Sequence, residues 1–314
     1  MARKSRSKKD FVAWAEKWLS LVKPTVKGNT FAAGYRNPVE KHIIPHFEGR
    51  KLTEIRHSDI QSYINLKAET YSLDTVKKHK SCLCQIFDAA INDDLCVKNP
   101  VKQIKIPDTK KRAEKLIYTP EQAQQIFNFG YTHRFGAEVQ FMLATGVSRG
   151  ELLAIRWSDV DLGNRTVQIR QGAALVPNAK TGKQETVIGE PKNDYRKRIL
   201  PISHEVVRIL EEIPHESAFV FYNVKGNICN PRTWSRRHYA VFMEDMKNFY
   251  AQKGIEIPIY PSHQLRHTRL SLWINENKSP IAVAKFGGHA NMDMLLKRYA
   301  HSNAEELRDL LDIG

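Results

Sequence analysis

The sequence has 314 residues, with 49 Lys or Arg against 34 Asp or Glu, a formal charge of +15 with histidine neutral. That length suits two domains of roughly 100–200 residues each, and a hydrophobic fraction of 41% gives each a core. The cationic surplus points to a polyanion, nucleic acid or an anionic membrane surface. No apolar run approaches the ~20 residues that a bilayer crossing needs. The basic opening MARKSRSKKD leads into no apolar signal core, so neither membrane insertion nor secretion is expected. Cys82, Cys84, Cys96 and Cys229 are too sparse for a disulfide framework and form no CxxC pair. They read as small core residues in a reducing compartment, the cytoplasm.

Residues 1–9, with Arg3, Lys4, Arg6, Lys8 and Lys9, form a basic arm, either a DNA contact or a disordered start. From Asp10, the residues Phe11, Trp14, Ala15, Trp18, Leu19 and Val22 follow helical spacing, and Pro24 ends that helix. Asn29-Thr30 cap a second helical run to Pro45. A short helix opens at Ser58 and Asp59, and a long one spans 72–92 with Leu73, Val76, Leu83, Ile86, Phe87, Ala90 and Ile91 facing inward. No strand pattern interrupts 10–106, which predicts a small helical bundle. Residues 107–117 lack apolar periodicity and read as a linker.

Thr119-Pro120-Glu121 then opens the second domain, 118–314, as an N-cap with Pro at the first helical position. Helices are expected at 119–130, 134–145 and 148–155, and strands at 165–170, 184–189, 197–202 and 218–222. Helices return at 231–250, 263–277, 279–286, 290–298 and 303–312. The fold class is mainly α with a small antiparallel sheet: a helical domain followed by an α+β domain.

Several chemistries are missing from the pattern. There is no GxxxxGK[ST] phosphate loop, no HExxH, and no tight Asp/Glu cluster of two-metal type. His42 and His46 stand four apart, but Pro45 between them argues against one shared helical face. No metal or cofactor is expected.

Three segments carry a different chemistry: Thr145-Gly146-Val147-Ser148-Arg149-Gly150-Glu151-Leu152, then His263-Gln264-Leu265-Arg266-His267, then Gly288-His289 with Tyr299 ten positions on. In this order they resemble the tyrosine recombinase (phage integrase) family. Glu40 to Pro45 and the helix from Thr75 to Pro100 look like that family's N-terminal helical core-binding (SAM-like) domain. The resemblance therefore implies this domain followed by an α+β tyrosine-recombinase catalytic domain.

Metal-free strand transfer needs a nucleophile that holds a phosphoryl group covalently and returns it, which a tyrosine phenolate does. Guanidinium and imidazole groups neutralise the charge on the phosphate oxygens, and a Lys or His protonates the leaving 5′-oxygen. The resemblance assigns Tyr299 as nucleophile, Arg266 as phosphate clamp, His263 to proton transfer and His289 to a phosphate oxygen. Lys192 matches the family's β-hairpin general acid, with Lys183 as the alternative. His267 reads as a residue that packs and hydrogen-bonds inside the fold rather than one that touches DNA.

One position departs from the pattern. The family's first catalytic arginine stands two residues after the Gly of TG, and here that residue is Ser148. Arg149 is next door, but one helical step turns a side chain by about 100°. Arg149 reaches in through a local shift, Ser148 is a natural loss, or Ser148 was introduced to stall the reaction.

In the first domain Thr30, Arg36, Thr75, Lys78 and Lys80 are the candidates for DNA contact, although a cationic helix face is by default solvated. The resemblance further implies a clamp around double-stranded DNA at attachment or core sites and a homotetramer bridging two sites. It also implies a Holliday junction and a directionality factor as an additional partner. The helix at 303–312 would pack on a neighbouring subunit or complete its own domain. Relatives often carry an arm-binding domain ahead of this point, so the sequence is expected to be a shortened or simpler member. The alternative is an inactive DNA-binding architectural protein of the same fold. A topoisomerase of type IB stands third.

Overall fold

Asp10 starts the first helix by accepting a hydrogen bond from the Ala13 N–H at 2.9 Å. The structure, a computed structural model, describes residues 10–26, 28–108, 116–178, 181, 183–190 and 196–288. Its chain forms two compact units divided between Glu114 and Lys115.

In the first unit α1 (Phe11–Val22) buries Phe11, Trp14, Ala15, Trp18 and Leu19, and Trp14 Nε1 donates to Ile86 O at 2.9 Å. The next run, α2, is helical over 28–46. It opens as Gly28–Phe31, widens into π turns at Ala32–Arg36 and Val39–Ile43, and closes as Ile44–His46. The wider turns carry the helix past Pro38: the Asn37 N–H bonds to Ala32 O and the Ile44 N–H to Val39 O. α3 (His57–Thr70) and α4 (Leu73–Asn92) complete the bundle. Two expectations fail here. Leu73 is 41% exposed, because it is the first residue of α4 and precedes the buried stripe. His42 and His46 do share a side of α2: His42 stacks on His79 at 5.1 Å and His46 lies 4.7 Å from Tyr63. Proline is tolerated in the first turn of a helical segment, so Pro45 does not turn the chain away.

The second unit is built on α5 (Pro120–Gly130), α6 (Gly136–Thr145) and the short α7 (Arg149–Leu152). Thr119 caps α5 in a box with Gln122. Strands β1 (Val160–Asp161), β2 (Thr166–Ile169) and β5 (Arg198–Pro201) make an antiparallel sheet in the order β1-β2-β5, with Val167 opposite Leu200. A second antiparallel pair joins β3 (Gly172–Pro177) to β4 (Gln184–Gly189). α8 (His204–Glu211) follows, then α9, a run over 231–251 made of Pro231–Trp234, a π turn at Ser235–Tyr239, and Ala240–Ala251. α10 (His263–Asn275) and α11 (Pro280–Gly287) close the described part. The expected helices at 290–298 and 303–312 lie outside the described residues.

The expected strand at 218–222 is not one. The segment touches Ile155 and Trp157 through single main-chain bonds and then turns back on itself at Asn223–Asn227. α6 and α9 are locked by the buried Glu138 carboxylate, which accepts from Trp234 Nε1 at 2.6 Å and His238 Nδ1 at 3.0 Å. Gly150 lets α7 lie on β3, since a Cβ there would stand 2.7 Å from Ala173 O.

The buried His79 shares a 2.9 Å hydrogen bond with Tyr63 Oη. Burial, and then the charges of His42 and Lys67, lower its pKa from 6.5 to about 4. Protonation therefore favours the unfolded chain: this contribution is complete above about pH 6.5 and fades as the pH falls toward about 4. Amide protection factors at α1 and α4 should fall as the pH drops across that window, and His79→Phe should reduce this pH dependence. An unchanged profile in the variant would show that His79 does not titrate this way.

Candidate active site

Glu151 organises the described part of the site. It is the third residue of α7, and Ser148 is that helix's N-cap. The Glu151 N–H donates to Ser148 Oγ at 3.4 Å, and the Ser148 N–H donates to Glu151 Oε2 at 2.8 Å. This reciprocal capping box gives Ser148 a local structural task.

Three guanidinium groups surround the Glu151 carboxylate, which is only 3% exposed. Arg198 Nη1 lies 3.1 Å from Oε1 and its Nη2 donates to Oε2 at 3.4 Å. Arg266 Nη1 stands 3.7 Å from Oε2, and Arg196 Nη1 3.7 Å from Oε1. Burial pushes the carboxyl upward. The Arg198 and Arg266 charges, with hydrogen bonds from Arg198 and the Ser148 backbone, outweigh it and hold the pKa below the ordinary value. One carboxylate against three guanidiniums leaves a surplus of positive charge.

The same arginines tie other elements to this point. Arg266, in the first turns of α10, donates to Gly146 O at 2.7 Å and to Gly287 O. Gly146 ends α6 in the left-handed region at φ +63°, and Gly288 ends α11 likewise. Arg198 Nε donates to Phe286 O at 2.6 Å. His263 is exposed at the start of α10, its ring edge-on to His267 at 5.5 Å. Partial burial and then the Arg149 charge lower the His263 pKa below the ordinary imidazole value. Arg149 is exposed and donates to Ser235 Oγ, in the π turn of α9, at 2.6 Å. Among the described residues, no group of three or more His, Cys, Asp or Glu is placed to hold a metal ion.

A profile of the phage integrase family matches residues 109–306, and one of the phage integrase N-terminal SAM-like domain matches 10–67. The chain belongs to the phage integrase family. It is 27% identical over 270 residues to the transposase of transposon Tn916 from Enterococcus faecalis, covering 81% of this chain and 65% of that protein. It thus spans less than two thirds of that relative's length. Its fold matches the Tn1549 transposon integrase solved with a circular intermediate DNA, at a TM-score of 0.78, 21% identity, and 97% and 99% of the two chains. It also matches a lambda integrase tetramer solved on a Holliday junction, at a TM-score of 0.65, 16% identity, and 92% and 76% of the two chains.

In this integrase-family chain, Arg266, His263 and Arg149 all bear on one neighbourhood around α7 and α10. Lys192, His289 and Tyr299 lie outside the described residues. Lys183 is exposed in the connection between β3 and β4, where its carbonyl accepts from the Asn178 N–H at 2.8 Å. In the first unit Thr30 and Lys78 are exposed. Arg36 is 3.9 Å from Glu40, and Thr75 shares a 3.2 Å hydrogen bond with Ser72. Lys80 donates to Ile104 O at 2.6 Å, which turns its ammonium toward the unit's own main chain. Sequence reasoning missed Arg196 and Arg198. Their signal was spacing: two arginines two apart entering a strand lie on one side of the chain.

Breaking a buried ion pair from one side leaves uncompensated charge, at a cost of about 3–5 kcal/mol. Glu151→Ala should destabilise the second unit by about that amount in urea unfolding. A loss under about 1 kcal/mol would mean that the three arginines do not depend on this carboxylate.

Proposed function

We propose that this chain is a site-specific DNA recombinase, an integrase of a phage or conjugative element. It would cut and rejoin double-stranded DNA at attachment or core sites through a 3′-phosphotyrosine intermediate. What supports the reading is the cationic cluster of Arg266, Arg198 and Arg196 on Glu151, beside the exposed His263 and Arg149. The family membership and the DNA-bound relatives support the substrate.

In this mechanism the Tyr299 oxygen attacks the scissile phosphorus and forms the Tyr–O–P bond as the P–O5′ bond breaks. Lys192, or Lys183 in its place, gives a proton to the departing 5′-oxygen. Arg266 and His289 hold the phosphate oxygens, and His263 assists the proton transfer. The reverse attack by a 5′-hydroxyl of the partner strand reseals the backbone, with the phosphodiester energy kept in the tyrosyl ester. Arg149, whose charge acts on His263, would make good only part of the charge that position 148 lacks. Four protomers would bridge two sites and pass through a Holliday junction in the cytoplasm of a bacterium, at its nucleoid, with direction set by a directionality factor. The 107–117 segment would link the core-binding domain, 10–106, to the catalytic domain, 118–314. Thr30, Arg36, Thr75 and Lys78 would meet the DNA backbone, and Lys80 would do so only by leaving Ile104 O.

A second reading, an inactive architectural DNA-binding protein, is favoured by one observation: Ser148 serves as a helix cap and brings no charge. An SDS-resistant adduct assay on nicked duplexes from DNA flanking the gene separates the two. The chain as it stands should form an adduct that Tyr299→Phe abolishes. Ser148→Arg should accelerate its formation by about 10²–10³. Tight site-specific binding with no adduct from any of the three proteins would overturn the recombinase reading in favour of the architectural one.

A further inference from the structure

Helix α11 ends on two successive carbonyls, each taken by a different arginine. Arg198 Nε donates to Phe286 O at 2.6 Å, and Arg266 Nη2 donates to Gly287 O. The last carbonyls of a helix have no partner within it and carry the negative end of its dipole, so guanidinium donors suit them. Arg266 is already given to the phosphate by the recombinase reading. Arg198 has no assigned part, although its side chain is 8% exposed and its polar atoms are engaged. Its remaining nitrogens hold Glu151 at 3.1 and 3.4 Å, and Nη1 also donates to Arg196 O at 2.9 Å.

We propose that Arg198 is a positioning residue that clamps the last turn of α11 to Glu151, and so fixes where the chain departs through Gly288 toward His289. It acts through these groups, buried beneath the surface that would meet DNA. Three contacts from one planar fork join β5, α7 and α11, and all three elements bear on the Arg266 site. A lysine cannot replace it, because a single ammonium is a point charge on a flexible stem. It can neutralise Glu151 or reach Phe286 O, but cannot hold both in fixed geometry. A displacement of about 1 Å at a reacting group costs about 10²-fold in rate, so a loosened turn would be felt in the chemistry.

The catalytic half of this inference rests on the recombinase reading, whereas the clamp itself does not. Arg198→Lys and Arg198→Gln, in the full chain and in the Ser148→Arg background, test both. Amide exchange at Phe286, Gly287 and Gly288 should rise about tenfold or more in Arg198→Lys while the rest of the second unit keeps its protection. The single-turnover rate of adduct formation should fall about tenfold or more, with the dissociation constant for DNA unchanged. Arg198→Gln should show the same localised pattern, which guards against one variant misfolding. Unchanged exchange and rate in both variants would overturn the proposal. A uniform rise in exchange across the second unit, with DNA affinity lost in parallel, would overturn it too, because that marks a purely structural ion pair. Absence of adduct in every background would overturn the recombinase reading, while the exchange at Phe286–Gly288 would still decide the clamp.

Discussion

A carboxylate buried among guanidinium groups persists where the two most buried of them are held by something else as well. Glu151 meets that condition. Its own helix supplies a backbone N–H from Ser148, Arg198 is fixed by Phe286 O and Arg196 O, and Arg266 by Gly146 O and Gly287 O. The cost of desolvating the ions is offset by near-complete hydrogen bonding, the condition under which a buried ionic network is stable and specifies one geometry. The ends of α6 and α11, the start of β5 and the whole of α7 are therefore referred to one point.

That arrangement also explains how a strongly cationic site can exist before any anion arrives. Several unshielded arginines in one place would repel each other. A single central carboxylate lets them converge and still leaves positive charge over. His263, its pKa lowered by partial burial and by Arg149, adds a group able to accept or pass a proton. The capping role of Ser148 gives a physical reason for a serine there: the side chain serves the helix that carries Glu151. Arg149 reaches Ser235 in α9 and its charge acts on His263.

Helix positions were legible where apolar spacing and caps agreed, as in α1 from Asp10, α4 after Ser72 and α5 after Thr119. The strand β3 was missed because Gly172-Ala-Ala-Leu-Val-Pro has little β-branched character, and its pairing with β4 is a tertiary fact. Helix α8 was missed although Ser203 caps it, because it is short and follows a strand directly. At the site, the family motif located Arg266 and His263. Spacing alone could not show that Arg196 and Arg198 converge on Glu151, since the contact spans 47 residues. The capping box between Ser148 and Glu151 follows the Ser-x-x-Glu spacing of the sequence, which by itself does not tell a helix cap from a catalytic position.

The most direct measurement is mass-spectrometric mapping of the protein trapped on a nicked duplex. The predicted result is a nucleotide joined through a 3′-phosphate to Tyr299, on the peptide that runs from Tyr299 to Arg308. A nucleotide on any other side chain would contradict the account. So would unmodified protein with uncut DNA from both the chain as it stands and Ser148→Arg.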